Sequence, residues 1–241
     1  MTTTAYWRPS SIAQALDLLE RPGAVVLAGG TRLNGRPATA DSVEVVDLQA
    51  LDLDGLRPGA GDELTVGAMT TLQEVVDGDG VPDVVREAAR REQPSTLRAQ
   101  GTVGGCIATG HPESELLAAL LVHEAVVHVS TRDAAEAVAL EALLAGLPIG
   151  AGRVVTAVTI RTTGRAAACR TARTPADRAI VAAVARATDG GPLVALTGAA
   201  ATPVLVGPGH LPEPPGDFRG ASDYRRALAE VLVARALEAI A

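Results

Sequence analysis

The sequence predicts an α+β fold in two parts, and three observations support this. Helical and strand-like segments alternate between Pro9 and Asp77, a largely apolar run typical of a strand spans Gly152–Ile160, and an amphipathic helix closes the chain from Ser222. The character of the sequence changes after Gly164. We therefore place a boundary there, between a larger front domain (1–165) and a smaller rear domain (166–241).

The front domain opens with a helix after Pro9 that Ser10 or Ser11 can cap. Three short strands follow, at Ala24–Ala28, Ser42–Leu48 and Glu63–Ala68. Thr71 and Glu74 have the spacing of a capping box, which predicts a helix start there. Later elements are helices over Val81–Arg91 and about Glu113–Leu121, and strands over Ala125–Ser130 and Gly152–Ile160.

The rear domain is predicted to hold a strand, a turn at Pro175 and a helix that runs to about Ala187. The stretch Val204–Arg219 is rich in proline, which favours an irregular loop. The closing helix has Ser222 as its expected N-cap.

Composition excludes several classes of protein. The chain has 241 residues, 47% of them hydrophobic, which is enough for a substantial core. Its net charge of -7 argues against nucleic acid as a partner, because phosphate binding needs clustered Lys and Arg. Two distant cysteines, Cys106 and Cys169, fit free thiols in a reducing cytoplasm. Apolar stretches are too short for membrane insertion and no signal peptide is evident, so we expect a cytoplasmic protein.

Two glycine-rich loops carry the chemistry. The first, Leu27–Thr31, lies where a buried strand ends in Gly29-Gly30. Because glycine has no side chain to block a ligand, the backbone N–H groups there can form a nest for phosphate oxygens. Thr31 adds a hydroxyl donor, and Arg32 and Arg36 make the loop locally positive. Alone, such a pair of glycines is more often an ordinary turn.

The second loop, Gly101–Cys106, has the same elements: glycine pairs, a threonine and a following helix. Neither loop has the spacing of a Rossmann fingerprint, and no P-loop motif occurs. Two phosphate-cradling loops on one chain suit a cofactor that contains a pyrophosphate.

The order of motifs resembles the flavin subunit of the molybdenum hydroxylases, the carbon monoxide dehydrogenase and xanthine dehydrogenase flavoprotein family. The resemblance rests on "LAGGT", "VVDL", "VGAMTTLQEV" and "RAQGTVGGCIATGHPESELLAALLVHEAVV", and resumes in the last helix. It implies a two-part FAD-binding domain, in which a small parallel unit joins a larger mixed sheet, followed by a small α+β domain with an antiparallel sheet. The implied FAD site comprises Leu27, Ala28, Gly29, Gly30, Thr31, Arg32, Leu33, Thr102, Val103, Gly104, Gly105, Cys106, Glu115, Val155 and Arg170.

The resemblance also implies a role and partners. Such a subunit takes electrons from an iron–sulfur partner through FAD to an external acceptor, while a molybdopterin subunit oxidises the substrate. This chain has no cysteine set for an iron–sulfur cluster, so the clusters would lie on a partner.

Several positions depart from the family pattern. Arg32 replaces an aspartate, Cys106 an asparagine or aspartate, Glu115 an aspartate, and Arg170 is the nearest counterpart of a tyrosine or lysine beside the flavin. These departures support an alternative: a stand-alone protein that reuses the scaffold as a non-redox enzyme or small-molecule binding module, with the FAD site altered or lost.

Other polar residues admit two interpretations each. Cys106 could be a nucleophile with His111 as its base, although a packed side chain is the commoner outcome for a small residue in a tight loop. A metal site at His111 and Glu115 has too few ligands. Arg98 could pair with a phosphate or with a carboxylate, and His123 is expected to be partly exposed.

Overall fold

The computed structural model describes residues 2–33, 42–207 and 209–241. The strands are β1 (Thr2–Trp7), β2 (Ala24–Leu27), β3 (Ser42–Asp47), β4 (Leu56–Pro58), β5 (Glu63–Gly67), β6 (Val126–Ser130), β7 (Ala135–Ala139), β8 (Val154–Arg161), β9 (Ala166–Thr171), β10 (Val181–Arg186), β11 (Leu193–Thr197) and β12 (Val204–Val206). The helices are α1 (Ile12–Leu19), α2 (Leu72–Asp77), α3 (Asp83–Glu92), α4 (Ser95–Arg98), α5 (Val103–Thr109), α6 (Glu115–Val122), α7 (Leu140–Ala145) and α8 (Ser222–Ile240).

The first sheet is small and parallel, with the strand order β1-β3-β2. Helix α1 packs on it through Ala15, Leu16 and Leu19. The side chain of Ser11 caps α1 by accepting a hydrogen bond from the backbone N–H of Gln14, as one of the two predicted caps. Strand β1 was not predicted from the sequence, because its threonines give no apolar run.

The second sheet has the order β4-β5-β8-β6-β7, and every pairing in it is antiparallel. The expectation of a mixed sheet was therefore wrong. All eight residues of α6 are buried, so this helix forms the centre of the main core. The capping box of Thr71 and Glu74 at α2 is confirmed.

The third sheet is antiparallel, with the order β12-β11-β10-β9. The helix predicted after Pro175 was wrong, because Val181–Arg186 is strand β10. This strand contacts α8 and α6, so all six of its residues are buried and it carries no polar alternation to reveal a strand. Strands β11 and β12 were also missed, β12 within the stretch expected to be a loop. Helix α8 includes Ser222, and Ala221 occupies the N-cap position.

These three sheets with their helices confirm the α+β class. The boundary between residues 165 and 166 stays a prediction, and it falls between β8 and β9. Among the helices that the structure describes, none is both long and apolar enough to cross a membrane.

His123, which follows α6, is fully buried, so the expectation of partial exposure was wrong. Its Nδ1 lies 2.6 Å from the carbonyl oxygen of Arg161. Its Nε2 is buried without a hydrogen-bond partner in the described part of the chain. Burial and the charge of Arg186 lower the pKa of His123 to about 4, although the hydrogen bond to Arg161 and the charge of Glu124 act in the opposite direction.

We expect the protein to lose stability as the pH falls from about 6.5 to about 4. In this range His123 takes up a proton in the unfolded chain but not in the folded one, and the pKa difference corresponds to about 3 kcal/mol. Urea unfolding across this pH range measures the loss. His111, whose pKa is also lowered to about 4, adds to the same dependence, so His123→Asn should remove about half of it, whereas the same change at exposed His210 should not reduce it. Equal slopes in both variants would refute this assignment.

Candidate functional site

A cavity of about 500 Å³, here called the main cleft, lies beside the small parallel sheet. Both predicted glycine loops border it, together with the segment that leads into β8. The predicted site residues that line it are Leu27, Ala28, Gly29, Gly30, Thr31, Arg32, Leu33, Thr102, Gly104, Gly105, Cys106 and Val155. The structure thus brings together two loops that are separated by seventy positions in the sequence.

The first glycine loop needs both of its glycines. A β-carbon on Gly29 would lie 1.6 Å from the carbonyl oxygen of Gln100, so the two loops touch backbone to backbone. Gly30 has a φ of 72°, which side chains rarely tolerate. The backbone N–H groups of Gly29, Gly30 and Thr31 have no acceptor among the described residues. These donors are therefore available to an anion in the cleft.

The second loop differs from what the sequence predicted. Thr102 is the N-cap of α5, and its Oγ1 accepts a hydrogen bond from the N–H of Gly105. The N–H groups of Val103, Gly104 and Cys106 donate to the carbonyl oxygens of Thr70, Ala68 and Thr102. These N–H groups are thus already used within the protein. The second loop therefore contributes backbone to the wall of the main cleft, and its N–H groups are not available as donors to a ligand.

Gln93 joins the two loops and was missed from the sequence. Its Nε2 donates to Thr31 Oγ1 at 3.1 Å. A β-carbon on Gly101 would lie 2.5 Å from its Oε1, so Gly101 leaves room for the amide. Gln93 follows α3, and no local sequence signal marks it. Only the folded arrangement reveals its role.

The charges that line the main cleft favour an anion. Three arginines, Arg32, Arg153 and Arg178, border it, against one carboxylate among the described lining residues, Glu92, and Arg153 also donates to Glu136 Oε2 at 2.6 Å. Arg178 donates from Nη2 to the carbonyl oxygen of Glu92 at 2.9 Å, and its Nη1 lies 3.6 Å from Glu92 Oε1. Burial raises the pKa of Glu92. Arg36, the other expected cation, lies outside the described residues.

Cys106 and His111 line the cleft, but their surroundings do not suit nucleophilic catalysis. Burial, reinforced by Glu92, raises the pKa of the Cys106 thiol well above its usual range, whereas a nucleophile needs a lowered pKa. Burial and the charges of Arg178, Arg32 and Arg219 lower the pKa of His111 to about 4, so this imidazole is neutral at pH 7. Cys106 is thus a packed thiol.

Three predicted site residues do not line the main cleft: Val103, Glu115 and Arg170. Val103 is buried in the core. Glu115 and Arg170 pair with each other, with Arg170 Nε 2.9 Å from Glu115 Oε1, and Arg91 lies 3.8 Å from the same carboxylate. Arg170 also donates to the carbonyl oxygen of Asp177. Each of these two departures from the family pattern thus provides the charge partner of the other, and neither residue lines the main cleft.

Arg98 and the pair of His111 and Glu115 are the remaining candidate residues. Arg98 donates to Gln73 Oε1 and to the carbonyl oxygen of Arg90, and it pairs with no carboxylate of the described residues. Within the described ranges, no group of three or more His, Cys, Asp or Glu side chains could hold a metal ion. His111 and Glu115 are part of no such group.

Comparison with known proteins agrees with the geometry. The sequence profile of the family described as the FAD binding domain in molybdopterin dehydrogenase matches residues 2–162. The uncharacterized protein YgfM of Escherichia coli K12 is 33% identical, over 95% of this chain and 93% of YgfM. The carbon monoxide dehydrogenase medium chain of Afipia carboxidovorans is 31% identical, over 97% of this chain and 95% of that one.

Comparison of the fold with solved structures indicates the same family. A crystal structure of the Cu,Mo-CO dehydrogenase in its cyanide-inactivated form superimposes with a TM-score of 0.85 at 28% identity, covering 99% of this chain and 97% of that one. The chain therefore belongs to the FAD-binding flavoprotein family of the molybdopterin dehydrogenases.

Proposed function

We propose that this chain binds FAD in the main cleft and acts as the electron-transfer flavoprotein subunit of a molybdenum hydroxylase. One observation carries the proposal: Gly29, Gly30 and Thr31, whose backbone N–H groups have no acceptor among the described residues, line a cleft that is bordered by three arginines. This arrangement fits a pyrophosphate, which needs several donors and positive charge. Membership of an FAD-binding domain family supports FAD as the nucleotide.

The residues of this chain would hold FAD in different ways. The first glycine loop would donate to the pyrophosphate, and Gln93 would keep Thr31 in place. Gly104 would keep the second loop against Ala68, because a β-carbon there would lie 2.8 Å from the Ala68 carbonyl oxygen. Val155 would give an apolar contact at the opposite side of the cleft. Bound flavin supplies the redox chemistry, and the protein supplies binding and orientation.

Glu115 and Arg170 stay proposed as residues of the flavin end, acting through each other. Their ion pair joins α6 to β9, next to Asp177 and close in sequence to Arg178, which does line the cleft. In this role, the pair would position the 177–178 segment rather than touch the cofactor.

The partners follow from the same proposal. The homologous carbon monoxide dehydrogenase medium chain is, by its name, one chain of a larger enzyme. We infer that an iron–sulfur subunit delivers electrons to this chain and that a molybdopterin subunit oxidises the substrate. Genes for such subunits beside that of this chain would favour the proposal, and a lone gene would favour a stand-alone binding module.

The electron-transfer role is tested by mixing the FAD-loaded protein with a reduced 2Fe–2S protein from the neighbouring gene, without oxygen. We expect the absorption of oxidised flavin to fade, because the flavin accepts the electrons. Loss of this fading when the neighbour is replaced by an unrelated ferredoxin would show that the partner is specific. A flavin that binds but stays oxidised with the cognate partner would favour the binding-module alternative.

A further inference from the structure

The one phenylalanine of the chain is displayed on the surface. Phe218 is 88% exposed, more than the other large apolar side chains of the described residues. The chain has four aromatic residues in all, one Phe, one Trp and two Tyr. Single exposed apolar residues are common, so exposure alone indicates nothing. What distinguishes Phe218 is how it is held and what lies beside it.

The turn that carries Phe218 is rigidly built. Asp217 and Gly220 exchange two backbone hydrogen bonds, and Asp217 Oδ1 accepts from the N–H groups of Arg219 and Gly220. Arg225, which is buried, lies 2.6 Å from the same oxygen and holds the pKa of Asp217 below its usual range. The turn therefore holds the Phe218 ring in place before a ligand binds, so a ligand that stacks on the ring need not order the turn.

Phe218 borders a second cavity, here called the vestibule, of about 470 Å³. His111, Glu113, Arg173, Arg178 and Arg219 are also among its lining residues. His111 and Arg178 line the main cleft as well, so the two cavities adjoin. A ligand in the vestibule would thus lie next to a ligand in the main cleft.

Charge in the vestibule favours an anion. Arg173, Arg178 and Arg219 line it, against the carboxylates of Glu113 and Asp177. Arg219 pairs with Glu113 and Arg178 with Glu92, whereas the ion pair of Arg173 with Asp177 is long, at 3.8 Å, and exposed, so it holds Arg173 weakly and Arg173 can turn toward a ligand. Burial and, after it, the charges of three nearby arginines lower the pKa of His111 where the cavities meet. The ring of Phe218 adds a flat surface on which an aromatic ligand can stack.

We propose that the vestibule binds a planar aromatic anion, as a second ligand beside the one in the main cleft. Its ring system stacks on Phe218, and its anionic group lies near Arg173 and Arg178. The binding itself is independent of the proposed function. Its role rests on that function: in an electron-transfer flavoprotein, this ligand is the external electron acceptor. Acidic quinones and nicotinamide dinucleotides share this chemistry.

The test is equilibrium titration of the full chain with anthraquinone-2-sulfonate, with NADH as a competitor. We expect saturable binding that weakens about tenfold in Phe218→Ala and recovers in Phe218→Tyr, because a stacked aromatic pair contributes about this much. Arg173→Gln should also weaken it. Tyr224→Ala is the matched control, since Tyr224 is an aromatic residue of α8 that is 48% exposed and does not line the vestibule. Displacement by NADH identifies a dinucleotide site, and no displacement identifies an acidic quinone site.

A parallel titration with FAD separates this proposal from the previous one. Phe218→Ala should leave the affinity for FAD unchanged. If it weakens FAD to the same extent, the vestibule holds part of FAD and the second site is refuted. No binding of the sulfonate, or equal binding by wild type and Phe218→Ala, also refutes it. Phe218-dependent binding of the sulfonate without any binding of FAD would uphold the vestibule and refute the proposed function.

Discussion

Gly29→Ala is expected to lower the affinity for FAD on the order of 100-fold. The new β-carbon would lie 1.6 Å from the carbonyl oxygen of Gln100, and no side-chain rotation relieves an overlap between backbone atoms. The first loop must therefore move away from the second. Such a shift removes about two charge-assisted hydrogen bonds to the pyrophosphate, at ~1.5 kcal/mol each. Titration of the purified variant with FAD, followed by flavin fluorescence, measures the effect.

The matched control for this prediction is Gly190→Ala. A β-carbon on Gly190 would make ordinary contact, 3.8 Å from Thr188 Oγ1, so this variant should bind FAD like the wild type. Circular dichroism must show that Gly29→Ala keeps its fold, because loop displacement alone should not unfold three sheets. If Gly29→Ala folds and binds FAD with unchanged affinity, the first loop does not hold the pyrophosphate.

Arg225→Met is expected to destabilise the protein by about 3–5 kcal/mol. Arg225 is buried, and its Nη1 donates to the carbonyl oxygens of Ile180 and Gly198 at 2.8 and 3.0 Å. Its Nη2 pairs with Asp217. Methionine fills a similar volume but leaves the two buried carbonyl oxygens without donors, and an unsatisfied buried polar group costs about 1–3 kcal/mol, so two of them give a loss of this size. Urea unfolding at pH 7 measures the change.

The adjacent residue offers a close control. Arg226 is 57% exposed and pairs with Glu230 at 3.8 Å. Arg226→Met should change the free energy of unfolding by less than about 0.5 kcal/mol, because exposed ion pairs of this kind contribute little. Similar losses in both variants would mean that the charge of α8, rather than the buried contacts of Arg225, stabilises the rear sheet.

The two glycine loops show which features of the site the sequence predicts and which it does not. A strand that ends in two glycines is recognisable locally, and so is a threonine before a glycine-rich helix start. The order of these motifs along the chain resembles that of the molybdenum hydroxylase flavoproteins. However, the sequence could not show that the N–H groups of the second loop are used by Ala68, Thr70 and Thr102. That requires knowing which strand end lies against the loop.

Other features depend on contacts between distant elements. Gln93 meets Thr31, and Glu115 meets Arg170, across 62 and 55 positions of the chain. No periodicity predicts such pairs. The sequence of strand β10 predicts a helix, because the strand packs against two helices and is buried throughout, and an apolar run of this kind fits either structure. Local signals thus identified the loops, while tertiary contacts decided which atoms are free to bind.

The most direct test of the central claim is a titration of the purified full chain with FAD, with ADP and riboflavin as competitors. If the pyrophosphate is held by the first glycine loop and the cleft arginines, FAD should bind with one molecule per chain, ADP should displace it, and riboflavin, which has no phosphate, should displace it poorly. Absence of binding, or displacement by riboflavin but not by ADP, would contradict the account.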